Sequence, residues 1–189
     1  MELGIFAKTF ARSWIEDVFD AIAAHGLRYA QFNFTCAGLP SLPDEIELGV
    51  VERIRGVAAA RQISVAAVSG AFNMAHHDPS RRSEGLHRLR VMISACLHLG
   101  TDIVTLCTGT RDPEDMWRHH PDNRSPEAWL DLTASLEEAL EVAELHDVVL
   151  GLEPEVNNVV DSARQARRLL DEMQSSHLKI IMDAAKVCC

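Results

Sequence analysis

The chain has 189 residues, 47% of them hydrophobic and 24% charged, an ordinary globular composition that suggests one domain over 1–189. A net charge of −10 opposes a nucleic-acid partner, because phosphate backbones are held by clustered Lys and Arg; Arg81-Arg82 and Arg167-Arg168 are short clusters that read as solvated helix faces. No apolar run approaches the roughly 18 residues that span a bilayer, and Met1-Glu2-Leu3-Gly4 opens no basic or long apolar leader, so a cytoplasmic protein with no membrane partner is expected.

In chain order, short apolar runs alternate with longer amphipathic ones. Leu3–Ala7 is the first strand, and Ser13-Trp14-Ile15-Glu16 has capping-box spacing before a helix that runs to about His25, with Gly26 as its left-handed stop. Arg28–Phe34 is the second strand, followed by a helix at Glu45–Arg61 and a strand at Ile63–Val68. Asp78-Pro79 starts a third helix that ends at Gly100. Asp102–Cys107 is the fourth strand. Ser125-Pro126 opens a helix to near His146, Val148–Glu153 is the fifth strand, and Asp161 caps a helix to about Gln174. Leu178–Asp183 is the sixth strand, six residues before the last one.

Strands that alternate with helices imply βαβ units and a parallel sheet covered by helices. There is no GxGxxG after the first strand and no GxxxxGK[ST], so the common nucleotide-binding folds are disfavoured. Polar residues gather after each strand: Lys8-Thr9, Asn33, Ser69 to Asp78, Thr108 to Arg111, Glu153 to Asn158 and Asp183. This is the pattern of a TIM-type parallel (β/α) barrel, whose active site lies at the C-terminal ends of the strands. The expectation is an α/β barrel cut off after its sixth strand, before the eight-strand count. The long polar stretch Thr108–Arg124 is expected to be functional, and the nearby Trp117 and Trp129 argue against disorder.

Two carboxylates stand out. Glu153 and Asp183 each close an apolar strand, where a charge is costly unless paired or metal-bound. Together they offer hard oxygen donors suited to Mg²⁺ or Mn²⁺, although capping of the following segment explains each equally well. His76-His77 and His119-His120 follow the third and fourth strands. His76 is a candidate ligand or substrate contact, and the other five histidines sit in helical patterns. Arg111, after a Gly and two Thr, could hold an anionic or hydroxylated substrate, or be a surface turn residue. Five cysteines, an odd number with no CxxC pair, argue against a disulfide framework or zinc ribbon; Cys96 and Cys107 read as core thiols.

These residues carry a family likeness. Val68-Ser69-Gly70-Ala71-Phe72-Asn73-Met74-Ala75-His76 resembles the third-strand loop of the xylose-isomerase-like TIM-barrel family, which includes sugar isomerases, sugar epimerases and relatives of AP endonuclease family 2. Leu106 to Pro113, Trp117 and His120-Pro121-Asp122-Asn123 resemble one sugar isomerase/epimerase branch. Gly151-Leu152-Glu153-Pro154-Glu155 is similar to the family's fifth-strand metal glutamate, and Ile180-Ile181-Met182-Asp183 to its sixth-strand metal aspartate.

The resemblance implies a sugar or sugar-phosphate isomerase or epimerase with one divalent metal, Mn²⁺ or Mg²⁺ ahead of Zn²⁺. Glu153 and Asp183 would be ligands and Glu153 an acid/base residue. Relatives carry a substrate-binding His or Asn three residues beyond Asp183, where this chain has Lys186. Ligands from strands seven and eight are not present, so weak metal binding is expected. The ending Lys186-Val187-Cys188-Cys189 does not resemble the start of a sixth helix. An open barrel exposes sheet edges, and a homodimer through that side is expected. A non-catalytic remnant that binds a ligand without turnover is the alternative. A zinc-dependent DNA-repair endonuclease comes third, opposed by the charge.

Overall fold

The structure, a computed structural model, describes residues 2–183. Its centre is one six-stranded sheet in which every neighbouring pair is parallel and the spatial order equals the chain order: β1 (Gly4–Phe6), β2 (Tyr29–Phe32), β3 (Ser64–Ser69), β4 (Ile103–Leu106), β5 (Val149–Leu152) and β6 (Leu178–Ile180). Parallel neighbours need a crossover, and helices supply it: α1 (Ile15–Ala24), α2 (Leu48–Ala60), α3 (Pro79–Leu99), α4 (Pro126–Leu145) and α5 (Ala163–Met173). Consecutive helices pack on one another from α1 to α5. The expected α/β architecture of six strands is therefore present.

Each strand has a helix-facing side of apolar residues. Ala30, Phe32, Val68, Val104, Leu106, Leu150 and Leu152 are buried there with Phe19, Ile22, Ile54, Leu89, Met92, Leu132 and Leu169 from the helices. Each such Leu, Ile or Phe contributes about 1.5–3 kcal/mol by leaving water. The other side is concave and carries the polar residues. Gln31 on β2 reaches over β3 to Thr105 on β4, Nε2 to Oγ1 at 2.8 Å, which puts both on this side. Register places Ser69, Gly151 and Lys179 in the same row as Thr105. Gly151 leaves room there for the Ile181 side chain, whose Cδ1 would lie 2.9 Å from a Cβ at that position.

Local signals hold where a cap is made by a single side chain. Asp78 accepts from the Ser80 N–H at 2.8 Å with Pro79 in the first turn, and Gly100 closes α3 at φ +79°. Ser125 accepts from the Ala128 N–H at 3.1 Å. Two caps differ from expectation. The Ser13/Glu16 box is not made: Trp14 is the N-cap, and Glu16 pairs with Arg53 of α2 at 2.9 Å. Helix α5 is capped by Ser162, not Asp161, which faces Arg124 at 3.7 Å. In both cases a partner distant in sequence takes the carboxylate. The second strand is shorter than expected because the Asn33 side chain accepts from the Thr35 N–H and turns the chain into a short 3₁₀ segment.

Candidate functional site

A cavity of about 550 Å³ opens at the C-terminal ends of the strands, on the concave side. Glu153 follows β5 directly; its N–H donates to Leu106 O at 2.8 Å, which extends the β4–β5 ladder by one residue. Asp183 lies three residues past β6, after the Ile181 N–H has bonded Leu152 O at 2.9 Å. Both carboxylates line this cavity, with Lys8, Gln31, Asn33 and Trp117 on its other walls. The two carboxylates that the sequence singles out are thus brought to one place by adjacent strands.

His76 and Arg111 are not in that place. The His76 ring is 6% exposed; Nδ1 accepts from the Asp78 N–H at 3.0 Å and Nε2 lies 3.3 Å from Pro113 O, so the proton belongs on Nε2. His76 stacks on His77 and ties the start of α3 to the loop after β4. It lines an adjoining cavity of about 250 Å³ with Asp112 and Arg81, and Leu42 and Met116 lie between the two cavities. Arg111 donates to Ala75 O at 3.1 Å and pairs with Asp131 of α4 at 2.7 Å, buried at 8% exposure. Arg111 thus reaches α4, while His76 bridges the loops after β3 and β4. Lys186 lies outside the described residues. His120 caps the 3₁₀ turn Pro121–Arg124 and His119 is exposed.

The 108–124 stretch is held by a buried amide network. Asn73 exchanges two hydrogen bonds with the Thr110 backbone, at 2.8 and 3.0 Å. Asn123 Oδ1 accepts from the Thr110 hydroxyl and the Arg111 N–H, both at 2.8 Å. Asn158 Oδ1 accepts from the Gly109 N–H at 2.8 Å, and its Nδ2 donates to Met116 O at 3.1 Å. Three loops, after β3, β4 and β5, are thereby joined. Gly109 sits at φ +71°, and a Cβ there would fall 2.1 Å from Asn73 Oδ1, so only glycine fits. Asp112 accepts from the Glu114 and Asp115 N–H groups at 3.0 and 2.9 Å and faces Arg118; those N–H groups first, then the guanidinium, hold its carboxyl below the usual Asp range. The outcome is a fixed path that carries Met116 and Trp117 to the cavity wall.

Sequence reasoning passed over Gln31, Ser41, Thr105 and Glu155, which also line this cavity. Gln31 and Thr105 had a legible signal, a polar side chain inside an apolar strand; Ser41 had none. As a metal site, Glu153 and Asp183 fit in kind, being hard oxygen donors that enter one cavity from neighbouring strands. Among the described residues no group of three or more His, Cys, Asp or Glu is placed to hold a metal ion.

The family model for the xylose isomerase-like TIM barrel matches residues 19–187. The chain belongs to this family. No curated protein sequence matches it. Solved structures do. The apo form of 3-keto-D-glucoside 4-epimerase from E. coli is 18% identical with a TM-score of 0.75, over 95% of this chain and 67% of that one. D-psicose 3-epimerase from Clostridium cellulolyticum H10, solved with D-tagatose, is 15% identical with a TM-score of 0.74, over 95% and 62%. A xylose isomerase-like TIM barrel protein from Mycobacterium smegmatis in complex with magnesium is 13% identical with a TM-score of 0.72, over 96% and 64%. The chain thus spans about two thirds of the length of these structures, and the likeness at such identities is one of fold. Among the described residues no helix is long and apolar enough to cross a membrane.

Proposed function

We propose that this xylose isomerase-like barrel chain serves a divalent-metal-dependent isomerase or epimerase acting on a sugar. The observation that carries the reading is that Glu153 and Asp183 line one cavity at the C-terminal ends of the strands, beside Lys8, Glu155, several amides and hydroxyls, and Trp117. That wall suits a polyhydroxylated substrate, with amides and hydroxyls for its oxygens and an indole for its C–H face. Glu153 and Asp183 would hold the ion. Mn²⁺ or Mg²⁺ matches oxygen donors best, and when bound it would polarise a carbonyl and its neighbouring hydroxyl. The Glu153 carboxylate would take the proton from the carbon next to the carbonyl and return it. His76 and Arg111 enter as positioning residues that hold the loops around the cavity, while Lys186 remains a proposed substrate contact.

A second reading, ligand binding without turnover, is favoured by the two-carboxylate donor set, which leaves most of an ion's coordination to water. One experiment separates the two: thermal melts against Mn²⁺ and Mg²⁺ for wild type and Asp183→Asn. A ligand that binds only the folded state at 100 times its Kd adds about 2.7 kcal/mol, roughly 5–10 °C for a chain of this size. A shift at micromolar Mn²⁺ that Asp183→Asn abolishes, together with ketose isomerisation lost in Glu153→Gln, supports the enzyme. No shift up to millimolar metal rejects the metal site and leaves the binding reading.

A further inference from the structure

The starts of α4 and α5 frame a cavity of about 310 Å³ that shares no lining residue with the Glu153 cavity. Among the described residues its walls carry two guanidinium groups, Arg124 and Arg168, and no carboxylate, in a chain whose net charge is −10. Arg168 is held in place by its neighbours. Its guanidinium carbon lies 3.8 Å from the centroid of the Trp129 ring. Its Nε donates to one oxygen of Glu172 at 2.7 Å, and the other oxygen accepts from Trp129 Nε1 at 2.6 Å. Stack and ion pair fix the guanidinium plane, yet the bond to Glu172 occupies Nε alone. The Nη1–Nη2 edge donates to no described residue and forms a fork that fits two oxygens of one anion. Arg124 is 81% exposed and meets Asp161 at 3.7 Å, beyond hydrogen-bond reach. Neither Glu172 nor Asp161 lines the cavity. Ser125 Oγ accepts the Ala128 N–H at 3.1 Å, so its own proton is left to donate, and the Gln165 amide adds further donors. Beside these donors stand Val159 and Leu130, the latter 66% exposed.

We propose that this cavity binds a small phosphate monoester, with its phosphoryl oxygens on Arg124 and Arg168 and an apolar body against Leu130 and Val159. The proposal is independent of the isomerase or epimerase reading, since no residue of the Glu153 cavity takes part. A phosphate monoester carries about −1.5 to −2 charges at neutral pH and three strong acceptor oxygens. Two guanidinium groups and a hydroxyl match that better than they match a singly charged carboxylate. The site also touches the residues that hold the segment after β4. Asn123, one of its walls, donates through Nδ2 to Asn157 O at 2.7 Å, and Asn157 Nδ2 donates to Trp117 O at 3.0 Å. The N–H of Val159, another wall, donates to Gly109 O at 2.9 Å. A ligand packed against Asn123 and Val159 therefore stabilises the path that carries Trp117 to the Glu153 cavity, which makes this an effector site for that loop.

The test is titration calorimetry of the full chain, without added metal and at constant ionic strength, with phenyl phosphate, inorganic phosphate and phenol. Phenyl phosphate is expected to bind, inorganic phosphate to bind more weakly, and phenol to give no heat. Arg168→Gln and Arg124→Gln are each expected to weaken phenyl phosphate about tenfold or more, the scale of a lost hydrogen bond to a charged group. Arg124→Gln alters an exposed side chain and keeps the test valid should Arg168→Gln loosen α5. Glu153→Gln is expected to leave the affinity unchanged, and bound phenyl phosphate to slow hydrogen exchange of the 109–118 amides. Absence of binding at millimolar phenyl phosphate, wild-type affinity in both arginine variants, or loss of binding in Glu153→Gln overturns the site. Inorganic phosphate that binds as tightly as phenyl phosphate overturns the ligand class, and unchanged exchange of those amides overturns the effector role.

Discussion

Arg111 shows how one residue type at one place admits two roles. After a strand of a barrel, a guanidinium is a candidate anion anchor. Here it is buried, bonded to Ala75 O and paired with Asp131, which Arg82 also holds at 2.9 Å. Arg111→Met keeps much of the stem and removes the donors. The expected cost is about 1.5–3 kcal/mol in urea denaturation, the scale of a hydrogen bond to a charged group. Any metal-induced melting shift is expected to persist, since Arg111 does not line the Glu153 cavity. A variant of wild-type stability that no longer responds to metal or ketose would instead make Arg111 a site residue. His76 follows the same logic. Its ring nitrogens serve the Asp78 N–H and Pro113 O, and that tautomer is set by the loop it joins.

At the scale of elements, the segment after β4 is expected to loosen on acidification. Asp112 accepts two backbone N–H groups, and its carboxyl is held below the usual range; Asp78, which accepts the Ser80 N–H at the start of α3, is shifted the same way. A group whose folded value lies below its unfolded one stabilises fully above the unfolded value, about 4 for Asp, and loses that contribution as pH falls through the folded value. Melting temperature should therefore drop on acidification below about pH 4. Asp112→Asn keeps an acceptor for the Glu114 and Asp115 N–H groups but does not titrate, so its acid decline should be shallower. Parallel acid profiles for the two proteins would mean that Asp112 is not a linked group. Hydrogen exchange of the 112–118 amides is expected to report the same loss locally.

Across the whole molecule, β1 and β6 are the strands with a single neighbour among the described residues. Apolar side chains stand exposed beside them, Leu3 at 64% and Met182 at 67%. Water contact at such an edge is unfavourable, and unpaired strand groups invite pairing. We expect self-association through this side, seen as twice the chain mass by size-exclusion chromatography with light scattering. A well-folded monomer across the accessible concentration range would reject it.

The alternation of apolar strands and amphipathic helices, the caps at Asp78-Pro79 and Ser125-Pro126, the stop at Gly100 and the positions of Glu153 and Asp183 were all determined by the sequence. These depend on hydrophobic period and on contacts within a few residues, which a linear reading captures. The tertiary structure alone decided which post-strand polar groups face the cavity. His76 and Arg111 stay off the Glu153 cavity wall, bonded instead to Pro113 and Asp131, which are distant in sequence. Gln31 and Ser41 belong to the cavity because Thr105 and Asn33 hold them there. The direction of a side chain after a strand is set by partners that folding brings near, and spacing along the chain does not encode them.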